Sequence, residues 1–256
     1  MRPPTFLSLP ERSAKPRTVG LTHVLDKGLT PAATAEILDV AGDQIDVWKF
    51  GWGTAYVDRG LDRKIDVLRA HDVTRCLGGT LLEIAWSQGR AEQCLAWAER
   101  SGFDAVEVSR GVAAMPPDAK RELIKEAAER FVVLAETGVK DAEVVLSTRQ
   151  WRDEIADDLA AGATWIITEG RESGTVGIYD RSGVPKPDII DAAVEAAGVG
   201  RVLFEAPRKD QQAWLVNRFG PLVNLGNIAP DEVIPLTTLR LGLRADTATL
   251  TLGRTR

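Results

Sequence analysis

Along this chain the polar and charged residues collect where apolar, β-type runs end. Read in order, those runs finish in VLDKG (24–28), VWKFGWGT (47–54), CLGGT (76–80), VEVSRG (106–111), LAETGVK (134–140), IITEGRESG (166–174), LFEAP (203–207) and VNLGNI (223–228). Each is followed by a stretch with helical periodicity. Eight strand-then-helix units are what an α/β fold of the (β/α)8 TIM-type barrel kind requires, and residues just past the strands then form the functional face. A chain of 256 residues suits one such domain.

The pattern predicts strands near 19–25, 44–50, 73–77, 104–109, 131–136, 164–169, 201–206 and 221–225. Thr30-Pro31 opens a first helix, with Pro in its favoured first turn. Further helices are expected near 60–71, 90–101, from Pro117 through Arg130, and at 148–161, 187–197, 209–218 and 235–243. In 148–161, Trp151, Ile155 and Leu159 recur at the helical spacing. Residues 1–18, with prolines at 3, 4 and 10, read as an irregular arm leading into a barrel over 19–256. No low-complexity stretch or charge block divides the chain.

Composition removes several functional classes. A net charge of −5 argues against a nucleic-acid binder, which needs a basic surface. No run approaches the roughly 20 apolar residues of a membrane span, and the N-terminus lacks the apolar core of a secretory signal. Cys76 and Cys94 form no CxxC pair, so a cytoplasmic protein with reduced core thiols is expected. Apolar faces on barrel helices leave room for a homo-oligomer.

The strand ends carry three kinds of group. Carboxylates are Asp26, Glu107, Glu136, Glu169, Glu172 and Glu205; cations are Lys27, Lys49, Arg110, Lys140, Arg171 and Lys209. Gly78-Gly79-Thr80 and Asn224-Leu225-Gly226-Asn227 are turns with open amides, the latter in the usual barrel phosphate position. Several carboxylates on one rim suit a hard divalent cation such as Mg²⁺. Lys and Arg beside it suit a phosphate or carboxylate substrate. The plainer reading pairs each carboxylate with a neighbouring Lys or Arg in a structural ring. His23 and His71 lack partner spacing and read as structural, Gly51-Trp52-Gly53 as packing, and the helical tryptophans as core or rim aromatics. Without His- or Cys-rich clusters, zinc is not expected.

The chain resembles the phosphosulfolactate synthase family. The resemblance rests on GLTHVLDKGL (20–29), IDVWKFGWGT (45–54), GGTLLE (78–83), GFDAVEVS (102–109), EGRESGTVGIYD (169–180), FEAPRKDQQAW (204–214), VNLGNI (223–228) and LRLGLRADT (239–247). It implies a (β/α)8 barrel that adds sulfite to C3 of phosphoenolpyruvate with Mg²⁺. Lys140 matches the second Lys of the family's E-V-G-K-K segment, which implies a general acid delivering the C2 proton. Lys49, Arg171, Lys209, Arg110, Asn224 and Asn227 are the candidates for holding substrate oxygens. Asp26, Glu136, Glu169 and Glu205 are the candidates for the metal shell. The family's product feeds coenzyme M biosynthesis or a sulfolactate end product, and the residues do not separate the two.

Three departures stand out. Arg110 replaces an acid in the family's E-[IV]-S-D-G, Val139 replaces the first Lys of E-V-G-K-K, and Thr237 replaces Glu in L-E-T-L-R. They leave open a related addition of another nucleophile to phosphoenolpyruvate, or a metal-assisted enolate lyase or isomerase acting on a phosphorylated acid. A silent scaffold is disfavoured by Lys49, Lys140 and EGRESG.

Overall fold

The computed structural model describes residues 6–138 and 146–252. Its strands are β1 (Thr22–Asp26), β2 (Val47–Phe50), β3 (Thr74–Leu77), β4 (Ala105–Val108), β5 (Val132–Thr137), β6 (Trp165–Thr168), β7 (Val202–Glu205) and β8 (Asn224–Ile228). All pair in parallel with their sequence neighbours, and β8 returns to β1 to close the barrel. The helices are α1 (Pro31–Ala41), α2 (Thr54–Val57), α3 (Leu61–Ala70), α4 (Gly79–Ser87), α5 (Ala91–Arg100) and α6 (Pro117–Ala128). They continue as α7 (Thr148–Ala161), α8 (Pro187–Ala197), α9 (Lys209–Phe219), α10 (Val233–Arg240) and α11 (Thr249–Leu252). The fold is a single-domain (β/α)8 barrel. No helix among the described residues is long and apolar enough to cross a membrane.

Local chemistry sets the helix ends. Ser147 and Gln150 form a reciprocal capping box at the start of α7, and Gly162, left-handed at φ 118°, stops it. Thr30 caps α1 and Pro31 occupies its first turn. Each major helix turns one apolar stripe inward. Leu38, Leu95, Ile124, Ile155, Ile190 and Leu215 meet outward-facing strand residues such as Trp48, Val106, Val133 and Phe204 in one continuous layer. Burying each such side chain contributes roughly 1.5–3 kcal/mol.

The barrel interior holds a second, separate apolar layer of Val47, Cys76, Ala105, Leu134, Ile167 and Leu203. Successive residues of a strand point to opposite faces, so two steps further along the same face is reached again. Those two steps lead from Val47 to Lys49, Ala105 to Glu107, Leu134 to Glu136, Ile167 to Glu169 and Leu203 to Glu205. The strands thus carry an apolar floor and, one layer up, a charged ring at their C-terminal ends. Gly226 admits this packing, since a Cβ there would lie 2.3 Å from Leu203 Cδ2.

The N-terminal end is closed differently. Arg240, buried, donates to the carbonyls of Leu21, Pro221 and Val223. Burial first, and Arg12 second, draw its guanidinium down to about 9. Residues 6–21 contain no helix or strand and are tied down by Arg12 and Arg17, both paired with Asp46.

Some expectations about elements change. β1, β2 and β8 each start three residues later than expected, and in β8 this makes Asn224 open the strand instead of lying near its end. The Gly78-Gly79-Thr80 turn is the start of α4.

Candidate active site

A pit of about 220 Å³ opens at the C-terminal ends of the strands. Its walls include Lys49, Glu107, Glu136, Glu169, Glu205, Arg171, Glu172, Trp52 and Asn227. Lys49 sits at the base, its Nζ 2.9 Å from Glu107 Oε1 and 3.3 Å from Glu205 Oε1. Glu205 Oε2 accepts from the backbone N–H groups of Gly170 (2.8 Å) and Arg171 (3.0 Å). The Arg171 amide also donates to Glu169 Oε1 at 2.8 Å. Below Lys49, His23 Nε2 lies 3.4 Å from Glu107 Oε1 in the closed interior.

The electrostatics follow from burial and from these neighbours. Burial opposes charge on Glu107, but Lys49 and then His23 outweigh it and hold the carboxyl at about 2. Burial likewise opposes charge on Lys49; Glu107, Glu205 and Glu136 overcome it and raise the ammonium above the usual lysine range. Glu205 moves upward, because burial together with Glu136 and Glu107 outweighs Lys49. His23 is lowered by burial, partly offset by Glu107, which favours a neutral ring. Tyr179 is raised by burial and by Glu205, and its hydroxyl donates to the Glu205 carbonyl at 2.6 Å.

Backbone strain concentrates at this pit. Among the described residues, four non-glycine positions have left-handed φ: Trp52, Asp72, Arg171 and Asn227. Three of them line the pit. Such conformations cost of order 1–3 kcal/mol each and cluster at functional sites. The side chain of Asn227 is buried and its Oδ1 has no hydrogen-bond partner among the described residues.

The structure brings together Lys49, Glu136, Glu169, Glu205, Arg171 and Asn227, and it sends four expected residues elsewhere. Asp26 is closed to solvent and accepts from Gly28 N, Leu29 N, Trp48 Nε1 and Lys64 Nζ, the last at 2.8 Å. It holds a turn and a buried cation and has no oxygen left for a metal. Asn224 lies at the N-terminal end of β8, where it accepts from Leu21 N and donates to Gly200 O and Val202 O. Lys209 begins α9 and pairs with Asp246 at 2.7 Å, outside the pit. Arg110 turns away to Glu154, which it grips through Nε (2.9 Å) and Nη2 (2.6 Å). The charge change at this position is therefore taken up between β4 and α7. Thr237 spends its hydroxyl on Val233 O. Lys140 and Val139 lie outside the described residues.

Some members were not foreseen as site residues. Glu107 was visible as a strand-end acid, and its two-residue step from Ala105 was the available signal. Glu83, buried in α4, accepts from Ser109 Oγ and from the amides of Gly111, Val112 and Ala113, fixing the loop beside the pit. Nothing in its helical spacing indicates this. Gly78 and Gly79 allow the approach: a Cβ on either would meet Phe50 O at 2.6 Å or Ser109 Oγ at 2.4 Å.

A closed barrel whose strand ends enclose a lysine-based, carboxylate-walled pit defines an enzyme that works on small molecules. The model of the (2R)-phospho-3-sulfolactate synthase (ComA) family matches residues 10–246. Phosphosulfolactate synthase from Methanothermobacter thermautotrophicus is 40% identical over 244 residues, spanning 93% of this chain and 95% of the relative. The Bacillus subtilis protein of that name is 39% identical (94% and 97% covered), and the Methanocaldococcus jannaschii protein 44% identical over 234 residues (89% and 93%). The chain belongs to the phosphosulfolactate synthase family and is an enzyme of its carbon–sulfur lyase kind. Solved structures share the fold alone. They include 3-hexulose-6-phosphate synthase from Salmonella typhimurium (12% identity, TM-score 0.53, 92% and 100% covered). Thiamine phosphate pyrophosphorylase from Pyrococcus furiosus is comparable (13%, TM-score 0.54, 91% and 97%).

Proposed function

We propose that this enzyme adds sulfite to C3 of phosphoenolpyruvate, giving (2R)-2-phospho-3-sulfolactate, with Mg²⁺ as its metal. The observation that carries this reading is the donor set of the pit. Glu136, Glu169 and Glu205 line one small volume, with the Glu107–Lys49 pair at its base and Arg171 at its rim. An all-oxygen set of this kind suits a hard divalent cation and lacks the soft ligands zinc prefers.

Attack of sulfite on C3 pushes negative charge onto the substrate carboxylate, and C2 must then take a proton. Bound by Glu136, Glu169 and Glu205, Mg²⁺ would act as a Lewis acid toward that charge. Lys49 is held as a fixed ammonium by Glu107 and Glu205, so it supplies positive potential without reorganising during the reaction. Arg171 offers a guanidinium to a phosphate or carboxylate oxygen, a role its planar fork suits. The open Oδ1 of Asn227 can accept a hydrogen bond from a bound water or reactant. Lys140 is assigned the C2 proton, as the family resemblance implies. Two free, buried cysteines and the absence of a long apolar helix among the described residues support a cytoplasmic setting.

Phosphorus NMR of the purified protein with phosphoenolpyruvate, sulfite and Mg²⁺ tests the reading, each component being omitted in turn. A new phosphate-ester resonance requiring both sulfite and metal is expected. Phosphoenolpyruvate left unchanged by folded protein, or a product formed without sulfite, would overturn it.

A further inference from the structure

The strongly anionic substrate proposed above must enter a mouth rich in carboxylates, so the cations not already neutralised matter most. Lys49 is committed to Glu107 and Glu205, Arg110 to Glu154, and Lys209 to Asp246. Among the described strand-end cations, Arg171 and Lys27 carry no carboxylate partner. Lys27 follows the last residue of β1 and is exposed. Its Nζ stands 5.5 Å from the ring centroid of Trp52. A carboxylate would fix an ammonium and cancel its charge; an aromatic face fixes it and leaves both charge and N–H donors available.

Trp52 is held beside Lys27 at some expense. It lines the pit, is 50% exposed, and adopts φ 50°, a conformation unfavourable for a bulky side chain. A single exposed aromatic needs no explanation; one kept in a strained backbone at a pocket rim does. The flanking glycines show how it is placed. A Cβ on Gly51 would lie 2.6 Å from Leu25 Cδ1 and 3.3 Å from Asp26 O, and Gly53 is left-handed at φ 74°. The Gly-Trp-Gly turn therefore presses against the end of β1 and brings the indole beside the very next residue, Lys27.

We propose that Lys27, seated on Trp52, is a further substrate-binding residue whose ammonium holds an oxyanion of the incoming enol phosphate at the rim. Trp52 acts as its positioning residue. The inference rests on phosphoenolpyruvate as the substrate, not on sulfite as the nucleophile. Calorimetric titration of phosphoenolpyruvate into wild type, Lys27→Met, Trp52→Leu and Trp52→Phe, with turnover measured in parallel, tests it. Lys27 is exposed, so Lys27→Met leaves the fold intact. Expected are a Kd and KM about tenfold higher for Lys27→Met and Trp52→Leu, near-normal values for Trp52→Phe, and kcat within about twofold throughout. Inorganic phosphate losing affinity in Lys27→Met assigns the phosphoryl end, and oxalate losing it assigns the carboxylate end. Wild type that binds phosphoenolpyruvate but does not consume it with sulfite removes the proposed reaction and leaves this inference standing. Equal affinity in wild type and Lys27→Met, or no binding of phosphoenolpyruvate by wild type, would overturn it.

Discussion

Lys49 and Glu107 meet at 2.9 Å at the base of the pit, both buried, with the ammonium also shared by Glu205. Removing the cation leaves two buried carboxylates facing each other, which costs far more than the pair contributes. Lys49→Met is expected to lower kcat/KM by at least about 100-fold, the scale of losing a fixed charge at a reacting centre. Steady-state kinetics on protein whose circular dichroism matches wild type would check this. Activity within tenfold of wild type would contradict the role given to Lys49.

The same pair gives the fold an acid-sensitive contribution. The Glu107 carboxyl is held at about 2, below its ordinary 4.5. A depressed carboxyl stabilises the fold above the unfolded value, and that contribution fades as pH falls from about 4.5 toward 2. Wild type should therefore lose more unfolding free energy than Glu107→Gln between pH 6 and pH 3. Urea titrations at the two pH values measure the difference, and parallel losses would remove Glu107 as its source.

Behind β5, Lys120 is buried and donates to Glu136 O (2.7 Å), Glu154 Oε1 (2.8 Å) and Asp158 Oδ2 (2.6 Å). Burial, only partly countered by Lys120, already raises Asp158 to about 6. Lys120→Met leaves Asp158 without its cation and should cost about 3–5 kcal/mol, the range for breaking a buried ion pair. Chemical denaturation gives the number directly; a loss under 1 kcal/mol would mean the site relaxes or hydrates.

Arg110 offers the converse case. Its guanidinium is outside the pit and grips Glu154. Arg110→Asp sets two carboxylates against each other and is expected to lower stability by about 1–3 kcal/mol, with KM for phosphoenolpyruvate within about twofold. A large rise in KM with stability unchanged would return Arg110 to the substrate.

Gly226 tests the barrel packing. A methyl group there would lie 2.3 Å from Leu203 Cδ2 and 3.1 Å from His23 Nδ1. Gly226→Ala should destabilise by about 1–3 kcal/mol through overpacking, seen as a lowered thermal midpoint. An unchanged midpoint would show that Leu203 can move aside.

How far the sequence could be read depends on whether the deciding contact is local. Helices 148–161 and 187–197 are found where expected, because Ser147, Gly162 and Pro187 signal their ends within a few residues. The strand-end acids Glu136, Glu169 and Glu205 were legible for a similar reason, as each follows an apolar run. Arg110 and Lys209 were not. Their partners Glu154 and Asp246 lie 44 and 37 residues away, and nothing local reveals that a cation is already engaged. Asn224 was misplaced by a shift of three residues in β8, enough to move a side chain from the mouth of a barrel to its opposite end. Asp26 was misread because Lys64, its buried partner, lies 38 residues away on α3.

The apolar layer beneath Lys49 has a kinetic meaning. Among the described residues, Val47, Cys76, Ala105, Leu134, Ile167 and Leu203 pack across the barrel and close the pit from beneath. On the proposed two-reactant chemistry, both partners are expected to come and go at the strand-end mouth, the first to arrive standing in the path of the second. Order of arrival, and not affinity alone, is then expected to govern turnover.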